Sequence, residues 1–256
     1  MVGRARHVPK VGVFQRDRGE RAIFLTMAAS PGIEMSLITT TDTTFDDPFE
    51  QLLQELTDRV DAVVNGIAQE SQRFGRHEEY TTSRLAQAIN DAIRNHPITT
   101  PGLALEVHAE EFTKPQEKVA GADLYISVVR KDKDAQIGKG ILVQTKRRDA
   151  MIRSGEPQRL GNQCKQMRRR SKKASYVWIY ESDRILSVKA PQASKPILQR
   201  VTEPSSAGEL IADGLRCNKG DGDIGRELSA DPAAGIVAVM RRLSVPTGLD
   251  FLVRQD

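Results

Sequence analysis

Residues Ser175-Tyr176-Val177-Trp178-Ile179-Tyr180 form a continuous apolar run of strand-forming side chains. A strand with one face in water alternates apolar and polar residues, so an unbroken run marks a strand covered on both faces. The chain is therefore expected to build a sheet with a layer on each side. Arg184 to Ala190, closed by Pro191, reads as a further strand, and Leu103 to Phe112 as another, with Leu103, Leu105, Val107 and Ala109 on one face and Glu106, His108 and Glu110 on the other.

Helices for the outer layers are signalled on both sides of these strands. Asp46 or Asp47 can cap a helix, Pro48 suits its first turn and Glu50 complements its dipole. Phe49, Leu53, Leu56, Val60, Val63 and Ile67 recur at threes and fours, which predicts an amphipathic helix to about Arg73. Two heptads fit this spacing, so it could pair two subunits into a homodimer, although packing on its own domain is the commoner outcome. A second helix carries Leu85, Ile89, Ala92 and Ile93 and ends by His96-Pro97. Glu78 precedes Leu85 by seven residues, nearly two turns, so it lies above Leu85 on the buried face with Glu79 beside it. Leu160, Cys164, Met167 and Ser171 mark a third helix with a thin apolar stripe.

Between the second and third helices, Gly121 to Ser127 and Gly140 to Lys146 read as two strands of a hairpin. Side chains alternate along a strand, so Asp123 projects with Tyr125, while Gln144 and Lys146 project together, opposite Ile141, Val143 and Thr145. A carboxylate, an amide and an ammonium thus end otherwise apolar strands. Groups of that kind need partners, and a divalent metal with a phosphate would supply them.

At these residues the chain resembles the PD-(D/E)xK nuclease superfamily, whose hallmark is an acid at the start of one strand and acid-x-Lys on the next. Here the motif is Gly-Ala-Asp123 and then Gln144-x-Lys146. Gln144 stands where a second carboxylate is usual, a form that resembles the Mrr-like branch. The predicted order from Glu78, helix, three strands, helix, two strands, agrees with that likeness, which covers about Arg76 to Pro191. It implies an α/β fold: a restriction endonuclease-like α/β/α core with a mixed central sheet, an N-terminal helical extension and a loop-rich C-terminal segment. It also implies Mg2+ or Mn2+ held by Asp123, Gln144 and a helical glutamate, Glu78 or Glu79, with Lys146 set against the attacking water or a phosphate oxygen. The implied substrate is DNA, double-stranded, and the implied setting is restriction of foreign DNA.

Charge is distributed as a polyanion would require. From Lys146 to Lys173 eleven Lys and Arg face only Asp149 and Glu156, a net of +9, so a chain of net +4 carries −5 elsewhere. Arg147, Arg148, Lys165, Arg168, Arg169 and Lys172 are candidate phosphate contacts, as is Gln163, one turn before Met167. The first residues are also basic, with a strand expected over Arg21 to Ala28 and no function assigned. Cys164 and Cys217 are too few for a disulfide framework or a cysteine zinc site, and the four histidines form no paired motif. Cys217 to Gly225 lacks the spacing of a calcium loop and reads as a turn. Pro232 to Leu243 is expected as a helix and Leu249 to Val253 as a short strand.

No apolar run approaches the ~20 residues of a membrane span, and the N-terminus lacks the apolar core of a signal peptide, which makes the cytoplasm the expected location. The expected division is 1–75, a basic arm with the long helix; 76–191, the nuclease-like core; and 192–256, an extension packed on the core. The leading expectation is a metal-dependent endonuclease. The alternatives are a catalytically inactive nucleic-acid-binding module and an effector activated by a partner.

Overall fold

The computed structural model describes residues 47–74, 78–112, 121–132, 135–193, 204–228 and 231–255. The basic N-terminal arm and the strand expected over Arg21 to Ala28 lie outside the described residues. The helices are α1 (Pro48–Phe74), α2 (Glu78–Asn95), α3 (Glu156–Arg170), α4 (Ala190–Ala193), α5 (Ala207–Leu215) and α6 (Pro232–Leu243). The strands are β1 (Thr99–Thr100), β2 (Leu103–Glu111), β3 (Leu124–Lys131), β4 (Gln136–Arg147), β5 (Ser175–Tyr180), β6 (Ile185–Lys189) and β7 (Thr247–Gln255).

The strands form one mixed sheet in the order β1-β2-β7-β3-β4-β5-β6. β3 and β4 are the expected hairpin, with Leu124 opposite Val143. β4 pairs parallel with β5, and β3 parallel with β7, while the remaining neighbours run antiparallel. A parallel pair cannot be joined by a tight turn, and α3 is the crossover between β4 and β5.

Two apolar clusters cover the two faces. Leu52, Leu56 and Val60 of α1, Leu85 and Ile89 of α2, and Leu210 and Ile211 of α5 pack against Leu124, Ile126, Ile141, Val143 and Phe251. Leu160, Cys164 and Met167 of α3 and Ile236 and Met240 of α6 pack against Tyr125, Leu142 and Val177 on the other side. β5 divides itself between them: Tyr176, Trp178 and Tyr180 enter the first cluster, Val177 and Ile179 the second. The chain is thus an α/β protein with helices on both faces of a mixed sheet. The unbroken apolar run of β5 follows directly from that double covering.

Asp47 begins α1 by accepting the Phe49 N–H at 2.9 Å. Its apolar stripe, through Val64 and Ile67, is buried against the chain's own α2 and α5, so the seam considered for a homodimer is covered within one chain. The segment after Pro191 is more regular than expected. It holds α5, which is opened by a capping box in which Ser206 accepts the Glu209 N–H and Glu209 accepts the Ser206 N–H. A Cβ on Gly208 would stand 2.5 Å from the Thr57 carbonyl oxygen, so only glycine lets α5 touch the α1 backbone. The expected division of the chain does not follow the core: β7 sits between β2 and β3, and α1 supplies much of one face. Among the described residues no helix is long and apolar enough to cross a membrane.

Candidate active site

The site is built where β3 begins and β4 ends. Gly121 has φ +71°, in the left-handed region, and a Cβ there would stand 2.6 Å from the Gln163 carbonyl oxygen. Glycine therefore serves both the turn and the close approach of this segment to α3. Asp123 follows, its N–H donating to the Val143 carbonyl at 2.9 Å. Its carboxylate, in a residue only 2% exposed, accepts at Oδ2 from the Thr145 N–H at 3.1 Å, the Thr145 hydroxyl at 2.9 Å and the Gln144 amide.

Gln144 is as buried as Asp123, and its amide nitrogen also donates to the Thr145 carbonyl at 3.1 Å. Both neighbours of that nitrogen are acceptors, which settles the orientation of the amide. Its oxygen, Oε1, is left buried with no hydrogen-bond partner among the described residues. An unmet buried acceptor costs about 1 to 3 kcal/mol. Such a group calls for an explanation, and an ordered water or a bound ion is one that natural proteins use.

Lys146 lies two residues on, buried, with Nζ 3.5 Å from Oε2 of Glu156. The other Glu156 oxygen meets Arg159 at 3.3 Å. An ammonium taken out of water needs an opposite charge beside it, and the first turn of α3, where the helix dipole favours an acid, supplies one. Thr145 points the other way along β4 and its hydroxyl stands 2.8 Å from that of Thr82 on α2. That contact brings α2 to Asp123 through Thr145, one turn from the helix start at Glu78. The side chains of Glu78 and Glu79 lie outside the described residues.

Thus Asp123 and Gln144 are in direct contact, and Lys146 shares the strand face of Gln144 as its spacing required. Three contributors were not anticipated. Thr145 is a hydroxyl in the otherwise apolar stripe of Ile141 and Val143, which is itself a signal that it has a polar partner. Thr82 is that partner. In the sequence Glu156 reads only as one of two acids in a basic segment, and its meeting with Lys146 depends on the path of the crossover.

The candidate phosphate contacts divide into two groups. Arg147 is held by Asp149, at 2.9 and 2.8 Å, and Arg148 by Glu181. Burial pulls the Asp149 carboxyl upward, but the hydrogen bond and charge of Arg147, with Arg153 at 3.0 Å, outweigh it and hold the group below the ordinary carboxylate value. Lys165, Arg168, Arg169 and Lys172 instead line an open concavity of about 670 Å³ at the C-terminal end of α3, with Arg170 and Lys173. Gln163 belongs to neither group. It is half-buried beside Gly121, and its Oε1 has no hydrogen-bond partner among the described residues.

Among the described residues no group of three His, Cys, Asp or Glu converges on a metal-sized site. Asp123 and Gln144 meet through the amide nitrogen, and the pair offers a carboxylate and an amide oxygen, the latter with no hydrogen-bond partner among the described residues. Both are hard oxygen ligands, and Mg2+ is commonly held by only one or two carboxylates, with waters and phosphate oxygens completing its shell. The chemistry of these two oxygens is that of magnesium or manganese ligands. Compared with protein-family models, with curated proteins and with solved structures, the chain finds no match.

Proposed function

We propose that this chain is a metal-dependent endonuclease that hydrolyses phosphodiester bonds of double-stranded DNA in the cytoplasm, in restriction of or defence against foreign DNA. The observation that carries the reading is the buried Asp123–Gln144 contact with its unmet amide oxygen, on the same sheet face as the buried ammonium of Lys146. Asp123 and Gln144 would hold the ion, with Glu78 or Glu79 from the start of α2. When bound, Mg2+ or Mn2+ polarises the phosphate and lowers the pKa of a coordinated water.

The chain's own residues do the rest. Thr145 fixes the Asp123 carboxylate with two donors, so its orientation is set before substrate arrives. Lys146, held by Glu156, places a positive charge against the attacking water or a non-bridging phosphate oxygen. The cations at the end of α3 bind flanking phosphates and confer no base preference.

Plasmid and linear DNA incubated in magnesium, in manganese and in EDTA test this, alongside Asp123→Ala and Lys146→Ala. Cleavage should require metal and vanish in both variants while their melting stays close to that of the wild type. Wild-type rates in either folded variant would sink the site. A second reading, a nucleic-acid-binding module without turnover, is favoured by Gln144 in place of a carboxylate. It predicts salt-sensitive binding with no cleavage in either metal.

A further inference from the structure

The solvent side of α3 is a continuous polar ridge on which Arg159, Asn162, Lys165 and Arg169 are exposed at helical spacing. At its start Glu156 faces Lys146, and at its end six Lys and Arg line the concavity. Among the described residues none of those six takes part in an ion pair, whereas Arg147, Arg148, Arg153 and Arg159 each do. Asp221 and Asp223 share the concavity, but the Asp221 carboxylate is engaged by the Ser171 hydroxyl at 2.7 Å and the Asp223 N–H at 3.2 Å. Six cations against two carboxylates leave a local excess of like charge, and a polyanion relieves the repulsion within it.

Glu156 and Arg169 stand near opposite ends of α3, thirteen residues apart, which at 1.5 Å per residue is roughly 20 Å. One strand of a duplex presents a phosphate every ~3.4 Å of axis, so that span matches about six base pairs. We infer that α3 is a rail for an extended duplex, which is held a second time in the concavity about six base pairs from the phosphate at Lys146. What happens at Lys146 rests on the nuclease reading.

Binding of hairpin DNAs with stems of 4 and 16 base pairs, measured by fluorescence anisotropy in EDTA over a series of salt concentrations, tests the rail. The longer stem should give a steeper slope of log K against log salt, by about 2 to 3, since each phosphate contact adds about 0.9. In the Arg168→Ala, Arg169→Ala, Lys172→Ala triple variant the slope on the longer stem should fall by about 3, with far-ultraviolet dichroism and melting unchanged. Equal slopes for the two stems, or an unaltered slope in the folded variant, would overturn the inference. Plasmid cleavage measured in parallel separates the two ideas. A length-dependent slope without cleavage keeps the rail and removes the nuclease reading, whereas cleavage with equal slopes does the reverse.

Discussion

The two faces of the sheet are built on different principles. Under α1, α2 and α5 the chain packs its largest apolar side chains, with Trp178, Phe251 and several leucines fully buried, and the hydroxyls of Thr82 and Thr145 meet each other. Under α3 and α6 the same sheet buries charge. Gln144 and Lys146 lie there, with the Asp123 carboxylate at the strand end between Gln144 and Thr145, and so does Asp250, whose Oδ1 accepts from Arg226 at 2.8 Å with both residues out of water. Ser127 and His108 flank Asp250 on β3 and β2. Burying a charge is expensive unless it is paired. Concentrating these groups on one face leaves the other free to stabilise the fold, and α3, which roofs the polar face, also carries the basic ridge.

That contrast can be broken first at its apolar end. Trp178→Ala empties a fully buried site and should cost about 3 to 5 kcal/mol in urea unfolding. A cost under about 1 kcal/mol would mean that the first face is not the stabilising one. On the polar face Arg226→Met leaves the Asp250 carboxylate buried without its partner and should cost roughly 3 kcal/mol, most of it recovered when Asp250→Leu is added. If the double variant is no better than the single, the pair does more than neutralise itself. Gln144→Met sharpens the distinction between structure and function. It removes an unmet acceptor while Asp123 keeps both Thr145 donors, so stability should move by no more than about 1 kcal/mol. Cleavage should nevertheless fall by about a hundredfold, as expected for a group that holds or orients a metal. A large loss of stability with cleavage retained would make Gln144 a structural residue.

Much of this architecture can be read locally, because local signals were enough for it. Asp47 caps α1, Pro232 to Leu243 coincides with α6, and alternation alone assigns Gln144 and Lys146 to one side of β4. The apolar stripe of α1 holds at Val63, which packs partly buried on the core, and Val64 beside it is fully buried as well. What escapes is decided over distance. β7 enters the middle of the sheet by pairing with β3 across more than a hundred residues, and nothing within Thr247 to Gln255 encodes which neighbours it will take. Glu156 meets Lys146 only because α3 crosses back over the sheet. The α5 helix is a different case. Its capping box, Ser206 with Glu209, is written in the sequence, but the small residues that follow conceal a helix packed tightly on Thr57.

The smallest effect expected concerns how closely α3 seals the polar face. Cys164 is buried between Leu160 and Met167, and that burial raises its thiol to about 11 against the partial opposition of the Arg168 charge. A thiol whose folded pKa exceeds the ~8.5 of an unfolded chain stabilises the fold fully below that pH. Above it the unfolded chain gains thiolate that the folded chain refuses, so the contribution is lost as pH rises toward 11. The unfolding free energy should therefore decline more steeply in the wild type than in Cys164→Ala between pH 8.5 and 10.5, by an amount on the order of 1 kcal/mol. A thiol reagent at neutral pH should modify the half-exposed Cys217 and spare Cys164. Equal reactivity of the two would show that α3 lifts readily from the sheet, and a helix so loosely held could not fix both Glu156 against Lys146 and the basic ridge beyond it.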